Sequence, residues 1–402
     1  MIDIKYKKIY DEFINNYEEI HLDPWHEISK EELDNIYNKL VNDMDINDEY
    51  SFCYFMCYII KRLNGTEDAH TKYSPFFDPI PYTFRKIDNE VFLSYPDDLY
   101  GYSLTSINGV SIDKVMDEID DIISYGTEGK RDYEIELTLF NKIQMFSLPS
   151  LRDSDELIYQ FKKDGKVVSR KIAKHEEYEN MFNEFKYFFG NAGAYKIIDN
   201  CLVYTHSSAA HQVRKKIDES IKKLENENID NVDTIIVDLR GNGGGSANNN
   251  NPLMNYLNNH LNGRKLICLI DYKVFSGGRY ALGDLLKLGA TTIGDEISTP
   301  INCFGNSNWM DIDGHQFSVS YSYLYPFKDE SYDTEERFKH VGVSTKEEFK
   351  DTITDELKIP YIYKPDVLVK QTKEDFLNKK DTVLEFALSY SKGEKVKKKS
   401  GV

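Results

Sequence analysis

The sequence predicts an α/β protein with a helical front and a small β-rich module ahead of its main core. Three observations carry that reading. From about residue 182 onward, short β-branched runs alternate with amphipathic helical patterns, the signature of strand–helix units that pack helices against a sheet. Residues 1–65 show helical period throughout, and between about 81 and 174 short apolar runs are separated by turn dipeptides. At 402 residues the chain exceeds the usual size of one core. The expected division is a helical region over 1–75, a β-rich module over 80–175 and an α/β domain over 176–395.

In the first region Ile9, Phe13, Tyr17 and Ile20 recur on one helical face. Ser29 with Glu32 forms a capping box ahead of Leu33, Ile36, Tyr37 and Leu40. A third helix over Glu49–Leu63 is apolar nearly all round, predicting burial, and stops at Asn64-Gly65. The polar turn Thr66-Glu-Asp-Ala-His-Thr71 follows. In the module, Phe92–Tyr95, Gly101–Gly109 and the hairpin Leu157–Lys174, turned at Asp164-Gly165, read as strands, with one helix near Val115–Ile123.

In the α/β region Leu202–His206 is a strand, Val213, Ile217, Ile221 and Leu224 mark a helix, and Thr234–Asp238 is a second strand. Pro252 opens the next helix, Leu266–Ile270 is a third strand, and Thr291–Gly294 a further one. Gln316–Tyr325 is a long β-run. A charged insert spans Lys328 to about Lys358 as a surface excursion, and a last helix covers Thr382–Ser391.

The centre of the chain is 234–278. The Thr234 strand ends in Gly241-Asn-Gly-Gly-Gly-Ser246, and the Leu266 strand leads to Val274-Phe-Ser-Gly-Gly-Arg279, where Ser276 precedes a segment of helical period. A glycine turn and a helix start both leave backbone N–H groups without partners, and a serine between two such sources is the layout of an acyl-transfer site, which needs N–H groups aimed at a developing oxyanion. The competing reading is an ordinary loop with an N-cap serine. A Walker-type phosphate loop is excluded, because no Gly-Lys-Ser/Thr follows the glycines.

Fifty Lys and Arg against 68 Asp and Glu give −18, which argues against a nucleic-acid surface. The one basic cluster, Lys395–Lys399, reads as a solvated tail. The five cysteines read as buried thiols, and no metal-ligand spacing occurs. No apolar segment reaches membrane-spanning length, and no signal peptide is visible. The expected location is the cytoplasm, or outside the cell if a leader has been removed.

Asp238-Leu-Arg-Gly-Asn-Gly-Gly-Gly245, Ser276 opening a helix, and Thr292-Ile-Gly-Asp295 together resemble the tail-specific, C-terminal processing serine peptidases, in the tricorn-type branch that uses histidine. The resemblance implies a crotonase-like, Clp-protease-like β-β-α spiral for the catalytic core. It also implies a PDZ-like module, matched by the turn in Leu104–Ile112, although no carboxylate-binding loop is evident. It makes Ser276 the nucleophile, and Gly244 and Gly277 the oxyanion donors, supported by Asp238, Arg240 and Asn242. His70 matches the general base in the family's Asp-Gly-His-Thr segment, with Ala69 in place of glycine. The implied substrate is a peptide or protein, with no cofactor; oligomeric state is left open.

A lysine base is excluded, since none occurs between Lys287 and Lys328 and Lys287 lies within the helix. His206 is the reserve base, and His260 and His315 read as surface residues. Asp68, Glu296, Glu335 and Glu336 are candidates for orienting the base. Two departures from the family stand out: Gly294-Asp-Glu-Ile-Ser-Thr299 lacks the family's threonine and later glycines, and Arg279 stands where processing peptidases carry glutamate. Two rival readings remain: a binding module that kept the fold, and an acyl-CoA-type crotonase with a similar oxyanion hole but no nucleophile.

Overall fold

The computed structural model describes residues 1–75, 78–178, 190–327 and 339–393. Lys395–Lys399, Glu335 and Glu336 lie outside the described residues. The chain divides into two compact units. One comprises Met1–Met181, Asn302–Tyr325 and Gly342–Pro360; the other comprises Phe182–Ile301, Pro326–Val341 and Tyr361–Val402.

The first unit begins with helices Ile4–Ile20, Lys30–Asp43 and Glu49–Asn64. Both hydrogen bonds of the Ser29–Glu32 capping box form. The third helix is buried on nearly every face and ends at Gly65 with φ of +52°, a conformation that costs glycine little. An antiparallel sheet follows in the order Thr83–Ile87, Glu90–Tyr95, Ser103–Ile107, Glu156–Lys163, Lys166–Ala173. Between its strands lie three helices, Ile112–Asp120, Glu128–Phe140 and Lys142–Ser147, where the sequence reading expected one. Buried Lys130 and Glu136 interrupt the apolar pattern of the second. The lysine pairs with Glu134 one turn along the same helix (2.7 Å), whereas the glutamate accepts the Lys86 N–H (2.9 Å) by tertiary contact. A further sheet pairs Lys72–Ser74 with His315–Phe327 and that strand with Cys303–Ile312.

The second unit holds a six-stranded sheet in the order Val367–Leu368, Thr291–Gly294, Lys265–Ile270, Thr234–Asp238, Cys201–Thr205, Tyr195–Ile198. The first five are parallel and the last is antiparallel. Both faces are covered, which is why these strands read as unbroken apolar runs. Ile235 and Val237 join a core with Ile217, Leu253, Leu257, Leu282 and Leu285 from helices Arg214–Leu224, Asn251–His260 and Gly277–Lys287. Ile236, Val203 and Leu269 face the other way, against Val383 and Ala387 of the last helix, Thr382–Ser391. Parallel pairing brings the ends of these strands to one edge: Asp238 lies opposite Thr205 and Leu269, and Ile270 opposite Gly294. In open parallel sheets that edge is where ligands bind. All five cysteines are buried. Among the described residues no helix is long and apolar enough to cross a membrane.

Candidate active site

Three loops leave the parallel strands at this edge and are tied together by Asn242. Its side chain is fully buried. Nδ2 donates to the His206 carbonyl at 2.7 Å, Oδ1 accepts the Gly244 N–H at 3.0 Å, and its own carbonyl accepts the Phe275 N–H at 2.9 Å. One asparagine therefore fixes the end of the Cys201 strand, the glycine loop and the approach to Ser276.

Ser276 has φ of +47° and ψ of −118°, and its side chain makes no capping hydrogen bond to the Gly277–Lys287 helix that it precedes. A non-glycine residue in this region costs on the order of 1–3 kcal/mol, so the ordinary N-cap reading fails: the serine is strained and its oxygen does not cap. The glycine loop packs directly on it. A β-carbon on Gly244, whose φ is +101°, would lie 2.7 Å from Ser276 Cβ and 2.8 Å from Gly277 N. One on Gly277 would lie 2.4 Å from the Gly245 carbonyl oxygen and 3.0 Å from Gly245 N. Only glycines allow these backbones to meet.

The N–H groups sort differently from the sequence expectation. That of Gly244 is taken by Asn242 Oδ1 (3.0 Å). The Gly245 carbonyl and N–H are turned away from Ala209, because the bridge there uses Gly244 O and Ser246 N. Among the described residues no hydrogen bond is formed by the N–H of Gly245 or of Gly277.

Asp238 and Arg240 have a structural part. Arg240 makes paired hydrogen bonds to Asp238 (2.8 and 2.7 Å) and to Asp381 (both 2.7 Å). Asp381 also caps the last helix through the Leu384 N–H at 3.0 Å. Burial opposes the guanidinium charge, and Asp238 and Asp381 overcome it, holding the group firmly protonated. Arg279 is fully buried and donates to the carbonyls of Pro300 (2.8 Å) and Ile301 (3.3 Å). With the Ser298 hydroxyl on Val274 O (2.7 Å), it pins the 294–301 loop. That loop is closed by bonds to this unit's own backbone.

His206 is also fully buried. Asn250 Nδ2 donates to the Gly277 carbonyl at 3.2 Å, so Asn250 Oδ1 faces His206, whose Nε2–H donates to it at 2.8 Å. Burial pushes the imidazole pKa down against that hydrogen bond. His206 thus supports the loops with its Nε2–H already committed.

His70 belongs to the other unit. Its Nδ1 lies 3.2 Å from the Phe304 carbonyl, which can only accept, so the proton sits on Nδ1 and the lone pair on Nε2. Asp68 builds the turn rather than touching the ring: Oδ1 accepts the N–H groups of His70 (2.8 Å) and Thr71 (3.0 Å) and the Ser320 hydroxyl (2.6 Å). Burial raises the Asp68 pKa, but His21 and these donors outweigh it and hold the carboxyl well below the usual range. Glu296, in the second unit, is half-buried in the loop after Gly294. His315, expected at the surface, is buried, with Nδ1 3.0 Å from the Tyr73 hydroxyl, because the aromatic faces of Tyr6 and Phe52 close over it. Asp381 and Phe304 lie far in sequence from the groups they hold, so no local pattern marks them.

Fold and loop arrangement together define an α/β protein whose fold is shared with solved structures. Mature CPAF matches with a TM-score of 0.59 over 97% of both chains, at 9% identity. A structure of mature CPAF complexed with lactacystin matches with a TM-score of 0.62 over 97% of this chain and 98% of that one, also at 9% identity. The photosystem II D1 C-terminal processing protease matches at 0.41 over 92% and 94%, at 9% identity. The fold of this chain is shared with both CPAF structures. No family model and no curated protein sequence matches the chain.

Proposed function

We propose that the chain is a serine peptidase. The observation that carries this is Ser276, held at positive φ with no capping bond, in backbone contact with a glycine loop. Such strain persists where the surrounding structure enforces it, and it clusters at reactive positions. Ser276 Oγ attacks the peptide carbonyl, its proton passes to His70 Nε2, and that proton then goes to the leaving amine as the C–N bond breaks. Water hydrolyses the acyl-serine by the same base. The N–H groups of Gly277 and Gly245 receive the oxyanion; Gly244 contributes space, since its own N–H serves Asn242. No step needs a cofactor.

The same reading takes 176–395 as a crotonase-like catalytic domain, 80–175 as a PDZ-like module that offers an extended peptide a sheet edge, and 1–75 as a helical region. The substrate is a peptide or protein chain. A fluorophosphonate should label Ser276 in the wild type and leave Ser276→Ala unlabelled. His70→Ala should keep its fold and lose about a hundredfold or more in hydrolysis of casein. Absence of labelling under all conditions, with peptide binding retained, would make the chain a binding protein of this fold.

A further inference from the structure

We infer that His21 is a positioning residue for His70, acting through both groups that hold the base. The inference rests on the reading of His70 as base, and all of its geometry lies within the first unit. His21 follows the first helix, its N–H donating to the Tyr17 carbonyl at 3.0 Å. Its side chain and that of Asp68 are both 0% exposed. His21 Nδ1 accepts the Asp23 N–H at 3.2 Å, which puts the proton on Nε2, and Nε2 lies 3.4 Å from Asp68 Oδ2. Asp68 Oδ1 is filled by the three donors that shape the His70 turn, so His21 is what faces the other oxygen.

The second contact is with the ring support. The His21 ring packs on Phe304 at 4.3 Å between centroids and stacks on His26 at 5.2 Å. Phe304 is the residue whose carbonyl accepts from His70 Nδ1, and its own N–H donates to the Glu67 carbonyl at 3.0 Å. One imidazole therefore touches the carboxylate that sets the His70 backbone and the residue that sets the His70 ring. Displacement of either rotates Nε2, and a misplacement of about 1 Å in a reacting group can cost about a hundredfold in rate. Burial favours the neutral form of His21; its Nε2–H faces Asp68 Oδ2 at 3.4 Å without closing to a hydrogen bond, and its ring packs on Phe304, so it is not a second base.

The test compares His21→Phe, which keeps a ring on Phe304 and removes the donor, with His21→Gln, which restores an N–H. Three quantities are read: kcat and KM on casein, Tm, and the NMR signal of the His70 Nδ1–H. His21→Phe should lower kcat about ten- to a hundredfold with KM little changed, shift the His70 signal, and be largely rescued in His21→Gln at equal Tm. Wild-type kcat with an unmoved His70 signal overturns the inference, as does a loss of rate that follows Tm alone. If His21→Phe does not fold, His21→Asn, too short to reach Asp68, is judged by the same readouts. If His70→Ala keeps full activity, the base reading fails. The His70 signal in the His21 variants then still decides the positioning claim.

Discussion

Gly244 and Ser276 are in backbone contact so close that a β-carbon on the glycine would sit 2.7 Å from the serine's Cβ and 2.9 Å from the Phe275 carbonyl oxygen. Gly243, its neighbour, has nothing within 4 Å of the same position. Gly244→Ala should therefore cut hydrolysis about a hundredfold and slow fluorophosphonate labelling, whereas Gly243→Ala should stay near wild type in both. Equal behaviour of the two variants would show that the loop is a simple turn.

Ser276 stores backbone strain that glycine would release. Ser276→Gly and Ser276→Ala should both abolish labelling. Only the glycine variant should gain stability, about 1 kcal/mol in urea unfolding, since glycine reaches positive φ without the Cβ penalty. No cap is lost in either, because the hydroxyl makes none. A stability loss in Ser276→Gly would contradict the strained geometry.

The fully buried guanidinium of Arg279 meets two carbonyl oxygens. Arg279→Glu would bury an acceptor against acceptors. The expected cost is about 3–5 kcal/mol, as for a buried charge left without its partner, with the 294–301 loop becoming protease-sensitive. Wild-type stability in this variant would mean that the loop does not depend on those bonds.

His206 sets a pH dependence of stability. Its folded pKa lies below the ordinary value because burial disfavours the charged ring, so the unfolded chain takes up the proton first. The stability it contributes is whole above the unfolded pKa of about 6.5 and falls as pH drops through that value, by up to about 1.4 kcal/mol per pH unit for one proton. His21 and His315 are lowered by burial in the same direction. Tm measured at pH 7.5 and 5.5 should fall in the wild type and fall less in His206→Gln; an equal fall in both would remove His206 from the effect.

Much of the architecture was legible because it is local. The Ser29–Glu32 box, the stop at Gly65, Pro252 in the first turn of its helix and the apolar strands at 201, 234, 265 and 291 each depend on residues a few positions apart. The helix Glu128–Phe140 was not, because its buried Glu136 makes sense only beside the Lys86 N–H that it accepts. The strand Cys303–Ile312 also escaped notice, since its stretch Gly305-Asn-Ser-Asn308 carries no β-pattern and is held by pairing with His315–Phe327.

The sequence by itself determined which residues could be reactive: a serine between two glycine-rich segments, a histidine after an acidic turn, and strands apolar on both sides that must lie inside a covered sheet. Tertiary structure alone decided what each of them does. Whether Ser276 caps its helix or is strained free of it depends on the Gly244 backbone, more than thirty residues earlier in the chain. Which glycine N–H is left over depends on the Asn242 side chain and on Ala209. The tautomer of His70 depends on the carbonyl of Phe304, and Arg240 on a carboxylate at Asp381. Hydrogen bonds act over about 3 Å of space without regard to separation along the chain, so residue identity records the capacity for these bonds and only the folded backbone selects the partner.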